Sequence, residues 1–239
     1  MGRSATLLIV SLEQVRALQA AGDDAGALGA LEGLDPAAHQ RPQAAALALG
    51  LGRPRLAAAW ASGSDALLHA AALLRLGERR TVLELLEGQP ESAQSARVAL
   101  LRARALETLE SAELARTLAR KEGDSPALIA AATLMGERLL PHDPRAALLA
   151  LAEGLKVSEM MREETDALLL AVLSAVQARV GGVSKAARTA QKALERSLPR
   201  SPARIIALLV LGRGQEAEAE RLGGELASDF QSFLNIQPE

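Results

Sequence analysis

The sequence predicts an all-α protein of stacked helix hairpins with no sheet, and three observations carry that prediction. About half of the 239 residues are apolar, yet the aromatics are only Trp60, Phe230 and Phe233, so the core must be built from Leu and Ala. Both are strong helix formers, whereas strands favour β-branched and aromatic side chains. Between glycines and prolines the apolar residues recur at three- and four-residue spacing over helical lengths. Lastly, a turn residue, usually Gly, is followed five positions later by a small residue inside an apolar run. The pairs are Gly22–Ala27, Gly52–Ala57, Gly77–Val82, Glu110–Ala115, His142–Ala147, Gly182–Ala187 and Gly212–Ala217. They recur every 25 to 40 residues, a period typical of helical repeats.

Each unit reads as two helices. The first runs into the glycine, which supplies the left-handed conformation that ends a helix. In the second, the small residue lets paired helices approach closely. In order, the fourteen expected helices are 4–21, 24–34, 36–50, 54–62, 65–76, 79–87, 90–109, 111–122, 126–139, 143–155, 158–179, 183–197, 201–211 and 214–230. Asp35-Pro36, Ser125-Pro126, Asp143-Pro144 and Ser201-Pro202 supply N-cap and first-turn signals. Connections of mostly two to four residues make neighbours antiparallel. The runs "TLLIV" at 6–10 and "RIIALLV" at 204–210 are β-rich in composition but continue into helical spacing, so helix is expected there too. No Ser-, Gly- or Pro-rich linker divides the chain, so residues 1–239 are expected to form one domain, with 214–239 as capping helix and tail.

Gly182, Ala187, Leu194 and Pro199 fall at the spacings of the tetratricopeptide repeat, which the whole chain resembles in degenerate form. "LGRGQEAEAERL" at 211–222 and "AAGDDAGALGALEGLDP" at 20–36 resemble the same turn and second helix. The resemblance implies a right-handed α-solenoid of about seven hairpins, an open spiral whose first helices line a concave groove. It also implies a non-catalytic scaffold or adaptor that binds a protein or peptide there. Family members that clamp a terminal carboxylate use Asn and Lys on first helices. Here the sole Asn is Asn235 in the tail, and Lys185 and Lys192 lie on a second helix, so a groove ligand would meet arginine, carboxylates and leucine.

Composition narrows the chemistry. A formal charge of −2 gives no global attraction to nucleic acid or anionic membrane. With no Cys there is no disulfide, thiol nucleophile or thiolate-held metal. Arginine far outnumbers lysine, which reads as a GC-rich, bacterial coding bias. In "MGRSATLLIVSLEQ" the apolar run from Ala5 to Leu12 is too short to span a bilayer. Its Met1-Gly2 and Thr6 match a myristoylation pattern by letter, but an ordinary helix start in a cytoplasmic protein is the expected reading.

Candidate sites divide by chemistry. His39, His69 and His142 are scattered singly, and Asp143 between two prolines reads as a helix cap rather than an acid–base partner. Glu159, Glu163, Glu164 and Asp166 are expected to open the helix after Ser158, where the macrodipole favours negative charge. No phosphate loop, metal set or cofactor motif is present, so no enzyme, metal or cofactor is expected. On helix 90–109, Gln94, Arg97, Leu101, Arg104 and Thr108 form a mixed stripe suited to an acidic peptide. Lys185, Arg188, Lys192 and Arg196 recur along one face, with Arg200 and Arg204 following, and give the alternative of a nucleic-acid-binding repeat protein or regulator. Leu222, Leu226, Phe230 and Phe233 read as the buried side of the cap, with Phe230 and Phe233 as an alternative homodimer contact.

Overall fold

The computed structural model describes residues 11–87, 95–162, 164–227, Phe230 and Phe233. Among them the chain is all helical, without strand or sheet. The helices are α1 Leu12–Ala20, α2 Asp24–Glu32, α3 Arg41–Gly50, α4 Pro54–Ala61, α5 Ala66–Arg75, α6 Arg79–Glu87, α7 Ala96–Leu106, α8 Leu109–Glu122, α9 Ser125–Leu139, α10 Pro144–Met161, α11 Ala167–Arg179, α12 Val183–Arg196, α13 Pro202–Val210 and α14 Gly214–Gly223. One 3₁₀ turn, Ala38–Gln40, precedes α3. The span 204–210 is helical, within α13, whereas 6–10 lies outside the described residues.

Local signals explain most boundaries. Asp143 and Ser201 cap α10 and α13, their side chains accepting from Ala146 N at 2.9 Å and Arg204 N at 3.3 Å, each with proline next in the helix. Caps of this kind are each worth about 1 kcal/mol. At α9 the cap is Asp124 rather than Ser125, accepting from Ala127 N at 3.0 Å. Asp35-Pro36 starts no helix: Pro36 is buried in the connection, and α3 begins at Arg41.

Six of the seven small residues paired with turns are buried: Ala27, Ala57, Val82, Ala115, Ala147 and Ala217. The seventh, Ala187, is exposed. The turn there is made by Gly181, at φ +85°, and the residue five places after it, Ala186, takes the buried position. Glu110 is not a turn residue but lies in the first turn of α8; the left-handed residue between α7 and α8 is Glu107, at φ +58°.

Two longer segments depart from expectation. Ser158 does not open a helix. Its hydroxyl donates to Gly154 O at 3.2 Å within α10, which continues to Met161 and ends at left-handed Arg162. Glu159 therefore stands in a last turn rather than a first, Asp166 caps α11 through Leu169 N at 2.9 Å, and Glu163 lies outside the described residues. The helix expected over 214–230 stops at Gly223. Leu222 is exposed, whereas Leu226, Phe230 and Phe233 are buried beyond the helix end, in the chain's own core.

The helices pack in two roles. From α3 to α13 each odd-numbered helix packs on the next odd one, and each even helix packs on its chain neighbours. Buried side chains fall into a series of clusters along the chain, the largest running from α9 through α14 to Phe233, as expected when each unit contacts mainly its neighbours. α11 is buried on every side from Leu169 to Ala178, as befits a helix surrounded by protein. Alanine and glycine at the crossings bring axes close. A Cβ on Gly136 of α9 would meet Leu151 Cδ2 of α10 at 2.7 Å, so that interface admits no larger residue without movement.

The resemblance implies an open spiral, but the described contacts join its late helices back to its early ones. Arg53 Nη1 donates to Gly223 O at 2.8 Å across 170 residues, and Arg200 Nε donates to Leu51 O at 2.9 Å across 149. Ala227 N donates to Arg75 O at 3.0 Å. The segment around α14 thus returns to α3–α5. Gly52, at φ +73°, permits the approach, since a Cβ there would stand 2.5 Å from Arg200 Cβ.

Candidate functional site: an arginine-rich cavity between the odd-numbered helices

Closure leaves a cavity of about 610 Å³ to which every odd-numbered helix from α3 to α13 contributes. Its charged lining comprises Arg75, Arg79, Arg104, Arg138 and Arg196 against Glu107, Glu137 and Asp166, an excess of two positive charges. Leucine, Ile206, Phe230 and Phe233 supply apolar wall. The mixture follows from helix register, which turns one residue in three or four of each inner helix toward the same side.

Glu107 organises one wall. Its carboxylate bridges Arg79 at 2.5 Å and Arg138 at 3.1 Å, joining α6 to α9. Its left-handed backbone carries the strain usual for a residue with a Cβ. Asp166 is engaged as the α11 cap, and Arg196 Nη1 donates to Thr165 O at 3.3 Å.

Two arginines are served differently. Arg75, at the end of α5, donates from Nη1 to Leu49 O at 2.7 Å and has no carboxylate partner among the described residues. Burial lowers its pKa to about 10, with the positive charge of Arg104 adding to the effect. Arg104, on α7, makes no hydrogen bond or ion pair among the described residues, and neither does Glu137.

The stripe expected on helix 90–109 divides. Leu101 and Arg104 line the cavity. Arg97 is exposed and bound to Asp124 at 2.7 Å, Thr108 caps α8 by accepting from Ser111 N at 3.3 Å, and Gln94 lies outside the described residues. The basic stripe divides as well. Lys185, Arg188, Lys192 and Arg196 are all exposed on α12, and Arg196 also lines the cavity. Arg200 binds Leu51 O and, through its backbone N–H, the Glu220 carboxylate, while Arg204 pairs with Glu220 at 2.6 Å. These six side chains therefore do not form one surface. Phe230 and Phe233 are buried and line the cavity.

Arg75 and Glu107 are cavity residues that sequence reasoning did not single out. Arg75 reads as an ordinary charge ending the apolar run "LLHAAALL", and its one available signal is the helical register that places it one turn after Ala71. Elsewhere, His142 is exposed in the turn before α10, and no group of three or more potential metal ligands occurs among the described residues. None of the described helices is long and apolar enough to cross a membrane. A search of protein-family models finds none that matches this chain, and a search of curated proteins finds no significant match.

Proposed function

We propose that this chain is a non-catalytic scaffold, a single tetratricopeptide-like right-handed α-solenoid of about seven hairpins, which takes a segment of a protein or peptide partner into the cavity between its odd-numbered helices. The observation that supports this reading is the lining of that cavity, where guanidinium groups exceed carboxylates and leucines and phenylalanines form the remaining wall. The succession of odd-helix packings supports the repeat architecture. Inner helices then offer a composite surface to which each repeat adds one or two side chains.

The test is selection of displayed random peptides on the immobilised full chain, followed by affinity measurement with two variants. Arg104→Glu is expected to weaken selected peptides by about tenfold or more, since a charge-assisted contact becomes a repulsion. Arg97→Glu is expected to leave them unchanged, because Arg97 lies outside the cavity lining and is held by Asp124. Peptides indifferent to Arg104→Glu remove the cavity as the binding face.

A further inference from the structure

We infer that Arg75 and Arg104 form a binding site for an oxyanion, a carboxylate or phosphate group, carried on an apolar body. This rests on the reading of the cavity as the binding face and names the chemistry of what enters it.

Both side chains line the same cavity, one from α5 and one from α7, and these helices pack on each other. Arg104 has no partner among the described residues, and Arg75 has one backbone carbonyl. Three carboxylates line the same cavity, and none of them pairs with Arg75 or Arg104 among the described residues. Glu107 serves Arg79 and Arg138, Asp166 caps α11, and Glu137 lines the wall without an ion pair to either arginine. Two like charges kept together in a partly desolvated space cost free energy, as the depressed pKa of Arg75 records. An oxyanion between them relieves that cost, and guanidinium groups offer paired donors that match the two oxygens of a carboxylate or phosphate.

The rest of the wall sets the remainder of the ligand. Leu74, Leu101, Leu168, Ile206, Phe230 and Phe233 are apolar neighbours in the same space. A hydrophilic anion would leave that surface wet, whereas an anion joined to aliphatic groups covers it. A volume of about 610 Å³ suits a compact group. An acidic side chain flanked by leucines meets this description, and so does a free amphiphilic acid.

The site is tested on the ¹⁵N-labelled full chain by following the arginine Nε–Hε resonances during titration. The probes are inorganic phosphate, octanoate, and the peptide acetyl-Leu-Glu-Leu-Leu-amide beside its Gln counterpart. The Arg75 and Arg104 resonances are expected to shift together and saturate, while exposed Arg80 stays still. Octanoate or the Glu peptide is expected to bind at least about tenfold more tightly than phosphate or the Gln peptide. Arg104→Gln is expected to cause the same loss without lowering the melting temperature, since Arg104 makes no hydrogen bond or ion pair among the described residues and its charge opposes that of Arg75. Saturation by octanoate alone upholds the anion site while removing the peptide reading. Peptides that bind regardless of Arg104→Gln and of the Glu-to-Gln exchange overturn the anion site while leaving the scaffold. Stillness of the Arg75–Arg104 pair with every probe, or equal movement of Arg80, overturns the inference outright.

Discussion

Arg200 and Leu51 stand 149 residues apart, yet the Arg200 Nε–H donates to the Leu51 carbonyl at 2.9 Å. Burial and the neighbouring charge of Arg53 lower the Arg200 pKa, while Asp24 and Glu220 act in the opposite direction. A charged side chain is thus held in the joint between the two arms of the chain, and Gly52 makes room for its stem.

That joint is open to a direct comparison. Gly22 and Gly52 have nearly the same backbone, φ +75° and +73°, but only at Gly52 does an added Cβ meet a neighbour. Alanine at either site pays the left-handed penalty of about 1–2 kcal/mol. Gly52→Ala is expected to cost about 1–3 kcal/mol beyond Gly22→Ala, from the clash with Arg200. Urea denaturation of both variants measures the difference, and equal values would mean that the arms do not meet in solution.

At Asp124 the expected effect is on pH dependence. The Arg97 side chain and the Ala127 N–H hold this carboxyl below its ordinary value, the first more than the second. A carboxyl whose folded pKa is depressed stabilises the protein above its unfolded value and loses that contribution as pH falls through the folded one. The loss is therefore expected below about pH 4. In an NMR titration the Asp124 midpoint should lie under that of an unstructured aspartate and rise in Arg97→Ala. Asp124→Ala should cost about 1 kcal/mol as a lost cap, and Arg97→Ala less, as an exposed partner.

Glu107 restrains the positive charge of the cavity through Arg79 and Arg138. Glu107→Gln removes one negative charge and is expected to strengthen binding of the Glu peptide or octanoate by about fivefold, the size of a unit charge at cavity distances in a partly wet medium. The Gln peptide is expected to be unaffected. Calorimetric titration of the variant decides it, and weaker binding of the acid would count against attraction by the cavity as a whole.

For nucleic acid the expectation is negative. Four exposed cations on α12, Lys185, Arg188, Lys192 and Arg196, neutralise at most about four phosphates, which gives a modest salt dependence and weak affinity. Gel-shift titrations at low and physiological salt should show retention only at low salt, abolished by Arg188→Glu. Retention that persists at physiological salt would restore the alternative reading of the 185–204 stripe.

What could be read from the sequence was mostly what forms within one or two turns of helix. Asp143-Pro144 and Ser201-Pro202 mark helix starts because cap and first turn are adjacent in the chain. The turn-plus-five rule finds buried small residues because hairpin geometry is local, and at Gly181-Gly182 it slipped by one because both residues are able to make the turn. Ser158 misled for a physical reason. A serine before acidic residues resembles a helix start, but its hydroxyl turned back to Gly154 O inside a continuing helix. The cavity was half visible. Leu101 and Arg104 share a face by register, but their proximity to Arg75 depends on how α5 meets α7. The closing contacts at Leu51, Arg53 and Arg75 have no periodic signature, because they join parts of the chain that no local spacing relates.

Fastening α14 back onto α3–α5 changes how the molecule should come apart. A row of units with two loose tips peels from either end, one unit at a time. Here the outgoing segment is clasped by Arg53, Leu51 and Arg75, so past the first hairpin no unit is a tip. The helices behave like the staves of a hooped cask: one cannot be withdrawn without loosening its neighbours on both sides, and heat should release them in a single cooperative step.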